Sequence, residues 1–168
     1  MSVRPILRWP DPRLRQSCAP VDDVASVEDL VGDMFETMYA APGRGLAAPQ
    51  IGVMQRLFVM DTGWKEGDMR PVVCINPEIV AHPDKDDIAE EGCLSIPGVT
   101  ARVRRPSTIT ITYTALSGER VTQDMTGADA RCAQHEMDHL DGLVHFDRLE
   151  ASARAQLEAA YLALEEKR

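Results

Sequence analysis

The spacing of apolar positions changes period several times along the chain, and each change marks an element. Val27, Leu30, Val31, Met34, Phe35 and Met38 recur at steps of three and four. That spacing predicts a helix with one buried face. Ser26-Val27-Glu28-Asp29 reads as its capping box, and Pro42 and Gly43 close it. A Gly-rich stretch, GRGLAAPQIG (43–52), comes next. RLFVMD (56–61) and PVVCINPEIV (71–80) are compact apolar runs that predict strands, joined through the turn-rich DTGWKEGD (61–68). In STITITYTAL (107–116), Ile109, Ile111 and Tyr113 alternate with threonines, as in a half-buried strand. Ser117-Gly118 turns that strand into ERVTQDM (119–125). Thr126-Gly127-Ala128-Asp129 reads as a second capping box, opening a helix that Gly142 ends. Leu149, Ala153, Leu157, Tyr161 and Leu164 predict a terminal amphipathic helix. The order is helix, antiparallel-type strands, helix, helix, and the predicted class is α+β.

Composition narrows the picture. With 168 residues and 44% apolar content, the chain suits one domain over residues 1–168, large enough for a real core. No repeat or low-complexity tract interrupts it, and no apolar run approaches the roughly 20 residues of a membrane span. The opening MSVRPILRWPDPRLRQ lacks an apolar stretch and a cleavage site, which makes the cytoplasm the expected compartment. A net charge of −9, from 27 acidic and 18 basic residues, argues against sequence-independent nucleic-acid binding. Four cysteines (18, 74, 93, 132) form no CxxC and no regular framework, so they are expected as thiols or ligands rather than disulfides.

The chemistry concentrates in AQHEMDHLDG (133–142). On a helix, residues four apart share a face, so His135 and His139 can point two imidazoles at one ion. Glu136 stands beside them as a general base, the H-E-x-x-H arrangement. Met137, Leu140, Ala133 and Cys132 surround the histidines with apolar surface, and buried imidazoles need partners. A third ligand is required. His145 lies beyond Gly142 with nothing to position it, and Glu150 looks like an acid at a helix start. Cys132, one turn before His135, is also what a small buried hydrophobe looks like. Cys93 is favoured. It sits in EEGCLSIPG (90–98), an interruption of the β pattern where Gly92 lets the backbone turn.

Three stretches together, GRGLAAPQ (43–50), EGCLS (91–95) and QHEMDHL (134–140), resemble in order and spacing the signature motifs of the peptide deformylase family. ILRWPDPRLR, INPEI and GLVHFDRL extend the resemblance over nearly the whole chain. It implies antiparallel sheets packed around a central helix bearing HExxH. It also implies one metal ion per chain, Fe²⁺ in the cell with Zn²⁺, Ni²⁺ or Co²⁺ as substitutes, held by Cys93, His135 and His139. The implied reaction is removal of the formyl group from the N-terminal methionine of nascent polypeptides. That gives formyl-Met N-termini as partners, transient proximity to the ribosome, and neither direct nucleic-acid nor membrane binding. By similarity Glu136 carries the proton, while the Gln50 amide and the Leu94 N–H stabilise the oxyanion. Gly43, Arg44, Gly45, Gly92 and Arg102 are the expected substrate-binding residues.

The match has departures. Arg44 stands where the family usually has an apolar residue near the methionine pocket, and His145 also replaces an apolar residue. GVTARVRRP (98–106) leaves open which arginine meets the substrate, with Arg102 the choice here. Two other readings compete. An HExxH zinc peptidase would need a third histidine or acid as ligand. A non-catalytic metal- or peptide-binding relative would need neither Glu136 nor Gln50.

Overall fold

A computed structural model describes residues Met1–Arg168. Helix α1 (Glu28–Ala40) is followed by strands β1 (Gly45–Ala47), β2 (Leu57–Met60), β3 (Val72–Ala81), β4 (Asp86–Cys93), β5 (Ile96–Pro106), β6 (Thr108–Thr114) and β7 (Arg120–Thr126). Helices α2 (Gly127–Leu140) and α3 (Ala151–Glu165) complete the chain. Five strands form one antiparallel sheet in the order β1-β2-β3-β6-β7, and β4 and β5 pair separately as an antiparallel hairpin. The class is α+β, with antiparallel sheets around the HExxH helix.

The larger sheet is covered on both faces in its middle, which explains why β2 is apolar at every position. Successive strand residues point to opposite faces. Phe58 and Met60 therefore join Ile109, Ile111, Ala133, Met137 and Leu140 in the core against α2. Leu57 and Val59 join Val31, Met34, Met38 and Leu46 in the core against α1. A third cluster, with Trp9, Ile96, Phe146 and Tyr161, seats α3 against β5 and the N-terminal segment.

The two helices with an expected capping box both form, but neither box is built. A 3-10 turn, Val24–Val27, runs directly into α1. Asp23 accepts from Ala25 N, while the Ser26 hydroxyl donates back to the Asp23 carbonyl at 2.6 Å. Helix α2 leaves β7 without a loop: Thr126 is extended and makes no side-chain cap, and Gly127 turns the corner at a φ of 59°. Asp129 instead accepts a hydrogen bond from Thr62. The preceding element supplies each helix start, so a side-chain cap is not needed there.

Three strands were not legible in the pattern. β1 is only three residues long. β4, DDIAEEGC, has almost no apolar alternation; its register sets Asp87 opposite Arg105 and Glu90 opposite Arg102, and the ion pair that joins it to β5 is Glu91–Arg105. β5 itself alternates cleanly only over its second half, where Ala101, Val103 and Arg105 are the buried positions. EEGCLSIPG is thus the end of a hairpin and not a break in β structure. Cys93 faces Ile96 across it, after a register slip between Glu91 and Cys93.

Candidate active site

Along α2, Ala128, Arg131, Cys132, His135 and Glu136 form one stripe that lines a cleft of about 890 Å³. Steps of three and four keep them on one helical face. The opposite faces of the helix are occupied by Ala130, Ala133, Met137 and Leu140, packed on the sheet. Burial of that surface fixes the rotation of α2 and therefore the direction of its cleft-lining stripe. His135 and His139 come together with ring centroids 5.2 Å apart. The β4–β5 turn delivers Cys93, whose Sγ lies 3.4 Å from His139 Nε2. One ligand atom from each of Cys93, His135 and His139 lies within 4.8 Å of the others, and all three residues are buried.

The other three candidates for the third ligand are not part of that group. Cys132 Sγ sits 3.7 Å from the Arg44 carbonyl, and burial pushes its thiol well up. His145 is buried edge-on to His135 and Phe146, with neither ring nitrogen hydrogen-bonded. Burial depresses its pKa to about 4. Glu150 is exposed at the start of α3, where its carbonyl accepts from Arg154 N.

Glu136 is buried, with Oε2 lacking a partner. Burial raises its pKa to about 7, against the pull of His135 and with the help of Glu91. Two glycines make the space around this group. A Cβ on Gly45 would fall 2.7 Å from both Glu136 Oε1 and Cys132 Sγ, and one on Gly43 would fall 2.6 Å from Leu94 Cδ1. Gln50 lies beside Cys93. Its Oε1 accepts from Ala47 N at 2.9 Å, and its Nε2 donates to Ser95 Oγ at 3.0 Å while facing Cys93 Sγ at 3.8 Å. Leu94 and Gly92 line the cleft, and Gly92 stands in open space without a left-handed φ. Its role is therefore not that of a conformational hinge.

Arg44 is exposed and also lines the cleft, its guanidinium bound to the Thr62 carbonyl and to Glu66. Arg102 is not brought to the cleft. The pleat of β5 buries Ala101, Val103 and Arg105 and leaves Arg102 and Arg104 exposed; Arg102 stands opposite Glu90, which does line the cleft, but is not itself among the lining residues. Val99 and Thr100 line the cleft from that strand.

Behind His135 runs a buried ionic chain that sequence reasoning missed. Glu91 Oε1 meets His135 Nδ1 at 2.9 Å, and the same carboxylate takes two hydrogen bonds from Arg105 and one from Arg131. Arg105 continues to Asp138 at 3.0 Å, and Asp138 is held in turn by Arg148. A carboxylate can only accept, so Nδ1 of His135 carries the proton and Nε2 is left for a ligand role. Burial alone would raise Glu91, but hydrogen bonds from Arg105 and His135 outweigh it and hold the carboxyl well below the usual range. Only the crossing of β4, β5 and α2 reveals this chain; the one sequence hint is an acidic strand followed by an arginine-rich one.

The family model described as polypeptide deformylase matches residues 3–155. The chain belongs to the peptide deformylase family. It is 47% identical over 150 residues to the peptide deformylase of Afipia carboxidovorans, covering 89% of this chain and 88% of that one. The Rhizobium meliloti peptide deformylase is 45% identical over 148 residues, covering 88% and 85% of the two chains. Among solved structures, peptide deformylase from Ehrlichia chaffeensis superposes with a TM-score of 0.91 at 37% identity, over 99% of this chain and 98% of that one. No helix is long and apolar enough to cross a membrane.

Proposed function

We propose that this deformylase-family chain acts as a single catalytic domain, residues 1–168, holding one Fe²⁺ and releasing formate from the formyl-methionine end of newly made polypeptides. The observation that carries the reading is the convergence of Cys93, His135 and His139 beside a buried, unpaired Glu136 oxygen. One soft thiolate and two imidazoles, the His135 tautomer fixed by Glu91, fit a divalent transition metal, with Zn²⁺, Ni²⁺ or Co²⁺ as substitutes. Such an ion supplies Lewis acidity and brings a water's pKa toward neutrality.

The remaining work falls to the chain. Glu136, buried and raised to about 7, takes the proton of the attacking water and passes it to the departing amine. The Gln50 amide and the Leu94 N–H stabilise the oxyanion formed at the formyl carbon. Gln50 is pre-aimed for this, because Ala47 and Ser95 fix both ends of its amide. β1 pairs with β2 on one side only, and Gly43, Arg44, Gly45 and Gly92 line the cleft on the other. That edge suits an extended peptide added as a further strand.

The workplace proposed is the cytoplasm, near the ribosome while the substrate is nascent. A net charge of −9 supports contact through the nascent chain rather than through nucleic acid. Formate release from a formyl-Met peptide by ferrous enzyme, beside acetylated and unblocked peptides, tests the reading. Release from the formylated peptide alone is the expected result, and cleavage of an internal amide would instead indicate a peptidase.

A further inference from the structure

The part of the cleft next to Glu136 has a composition that an apolar methionine pocket does not require. Gly45 abuts Cys132 and Glu136, and the Thr62 hydroxyl bonds Asp129 in the first turn of α2. The turn after β2 therefore stands over the same helix face that carries the catalytic residues. Between them lies a chamber with a floor of small residues, Gly45, Ala128 and Cys132, and a rim bearing Arg44 and Lys65.

The rim retains unused donors. Arg44 spends Nε on the Thr62 carbonyl and Nη2 on Glu66, leaving Nη1 without an acceptor. Lys65 makes no ion pair, its Nζ resting 5.8 Å from the centre of the Trp64 ring. Glu66, the carboxylate that pairs Arg44, is not on the cleft wall. Glu90, Glu91 and Glu136 are on it, and Glu91 is already paired with Arg105, Arg131 and His135. The chamber thus offers hydrogen-bond donors to an acceptor at a side-chain end.

We infer that Arg44 and Lys65 are specificity-determining residues that let the enzyme accept an N-terminal methionine whose sulfur is oxidised to the sulfoxide. The inference rests on the deformylase reading above. Methionine sulfoxide keeps the length of methionine, is neutral, and ends in a strong acceptor. An apolar pocket would bury that oxygen unpaired and disfavour it by roughly a hundredfold; here Arg44 Nη1 and Lys65 Nζ pair it. The chemistry at the formamide is unchanged. Water adds to the formyl carbon, the C–N bond breaks, formate leaves, the amine takes the proton, and the S=O group emerges intact.

The test compares kcat/KM for formate release from three peptides that differ only in the first residue: formyl-methionine, formyl-methionine sulfoxide and formyl-norleucine. For the unaltered enzyme, the sulfoxide peptide is expected within about tenfold of the methionine peptide. Arg44→Leu or Lys65→Met is expected to lower the sulfoxide-to-methionine ratio by about tenfold, the loss of one charge-assisted hydrogen bond, without moving the norleucine-to-methionine ratio. Lys65 is exposed, so its variant keeps the test valid if Arg44→Leu folds poorly. A sulfoxide penalty above tenfold, or a ratio that neither variant lowers, overturns the inference and leaves the deformylase reading standing. No release from formyl-methionine overturns both.

Discussion

At Glu136 the neighbours leave little room for substitution, because Gly45 touches one carboxylate oxygen and the other is buried without a partner. Glu136→Gln keeps the shape and removes the proposed proton carrier. Metal content is expected to stay near one per chain while kcat/KM for formate release falls by about 10²–10⁴. Near-normal turnover would remove Glu136 from the reaction. The two cleft cysteines separate by metal content: Cys93→Ala is expected to lose stoichiometric metal, and Cys132→Ala to retain it with a modest loss of stability. Elemental analysis of both purified variants decides between them. His135 and His139 are readable from sequence because helix geometry alone sets their relation. Ser95 and Glu91 are not, since their partners lie more than forty positions away, at Gln50 and His135. Arg102 fails as a choice for a different reason: GVTARVRRP contains too few apolar residues to fix which parity of β5 faces inward.

The β4–β5 hairpin is held to α2 by charge where other elements are held by apolar contact. Arg105, only 4% exposed, bridges Glu91 on its partner strand to Asp138 on the helix. Arg105→Met removes one member of this buried set and leaves two carboxylates short of a partner. The expected loss is about 3–5 kcal/mol, to be read from denaturant unfolding of samples with matched metal content. The same chain sets an acid limit. Glu91 is depressed in the folded protein, so its contribution is complete above the unfolded-state value of about 4.3 and is lost progressively as pH falls below it toward the lower folded value. Unfolding free energies should fall more steeply below about pH 4 for the unaltered protein than for Glu91→Gln; parallel curves would exclude this carboxyl as the cause. Hydrophobic period reveals elements that bury one face, and a charge-paired strand such as β4 has no period to read.

For the molecule as a whole, the proposed metal would join elements that the chain keeps far apart, with Cys93 on the hairpin and the histidines on α2. Removing it with a chelator is expected to lower the melting temperature, because ligand binding to the folded state alone adds stability. Either Fe²⁺ or Zn²⁺ should restore that stability. Activity should not track it. Cys93, His135 and His139 would hold either ion, and the anaerobic ferrous enzyme is expected to exceed the zinc form by about tenfold, or ~1.4 kcal/mol of barrier. Equal kcat/KM in metal-quantified samples would refute the preference. The order of elements and the covered sheet are readable at this scale because they derive from apolar period. The pairing of the hairpin across the helix is not, because it depends on contacts distant in sequence.

The brevity of β1 has a consequence for timing. Three residues, Gly45–Ala47, offer a guest a seat only a few peptide units long, so under the proposed reaction the enzyme reads the first few residues and ignores the remainder of its client. Nearly any newborn chain then qualifies while its start hangs free, and none does once that start has been folded away. The short edge makes access a race between catalysis and the client's own folding, with speed, rather than a wider repertoire of contacts, deciding which N-termini are processed.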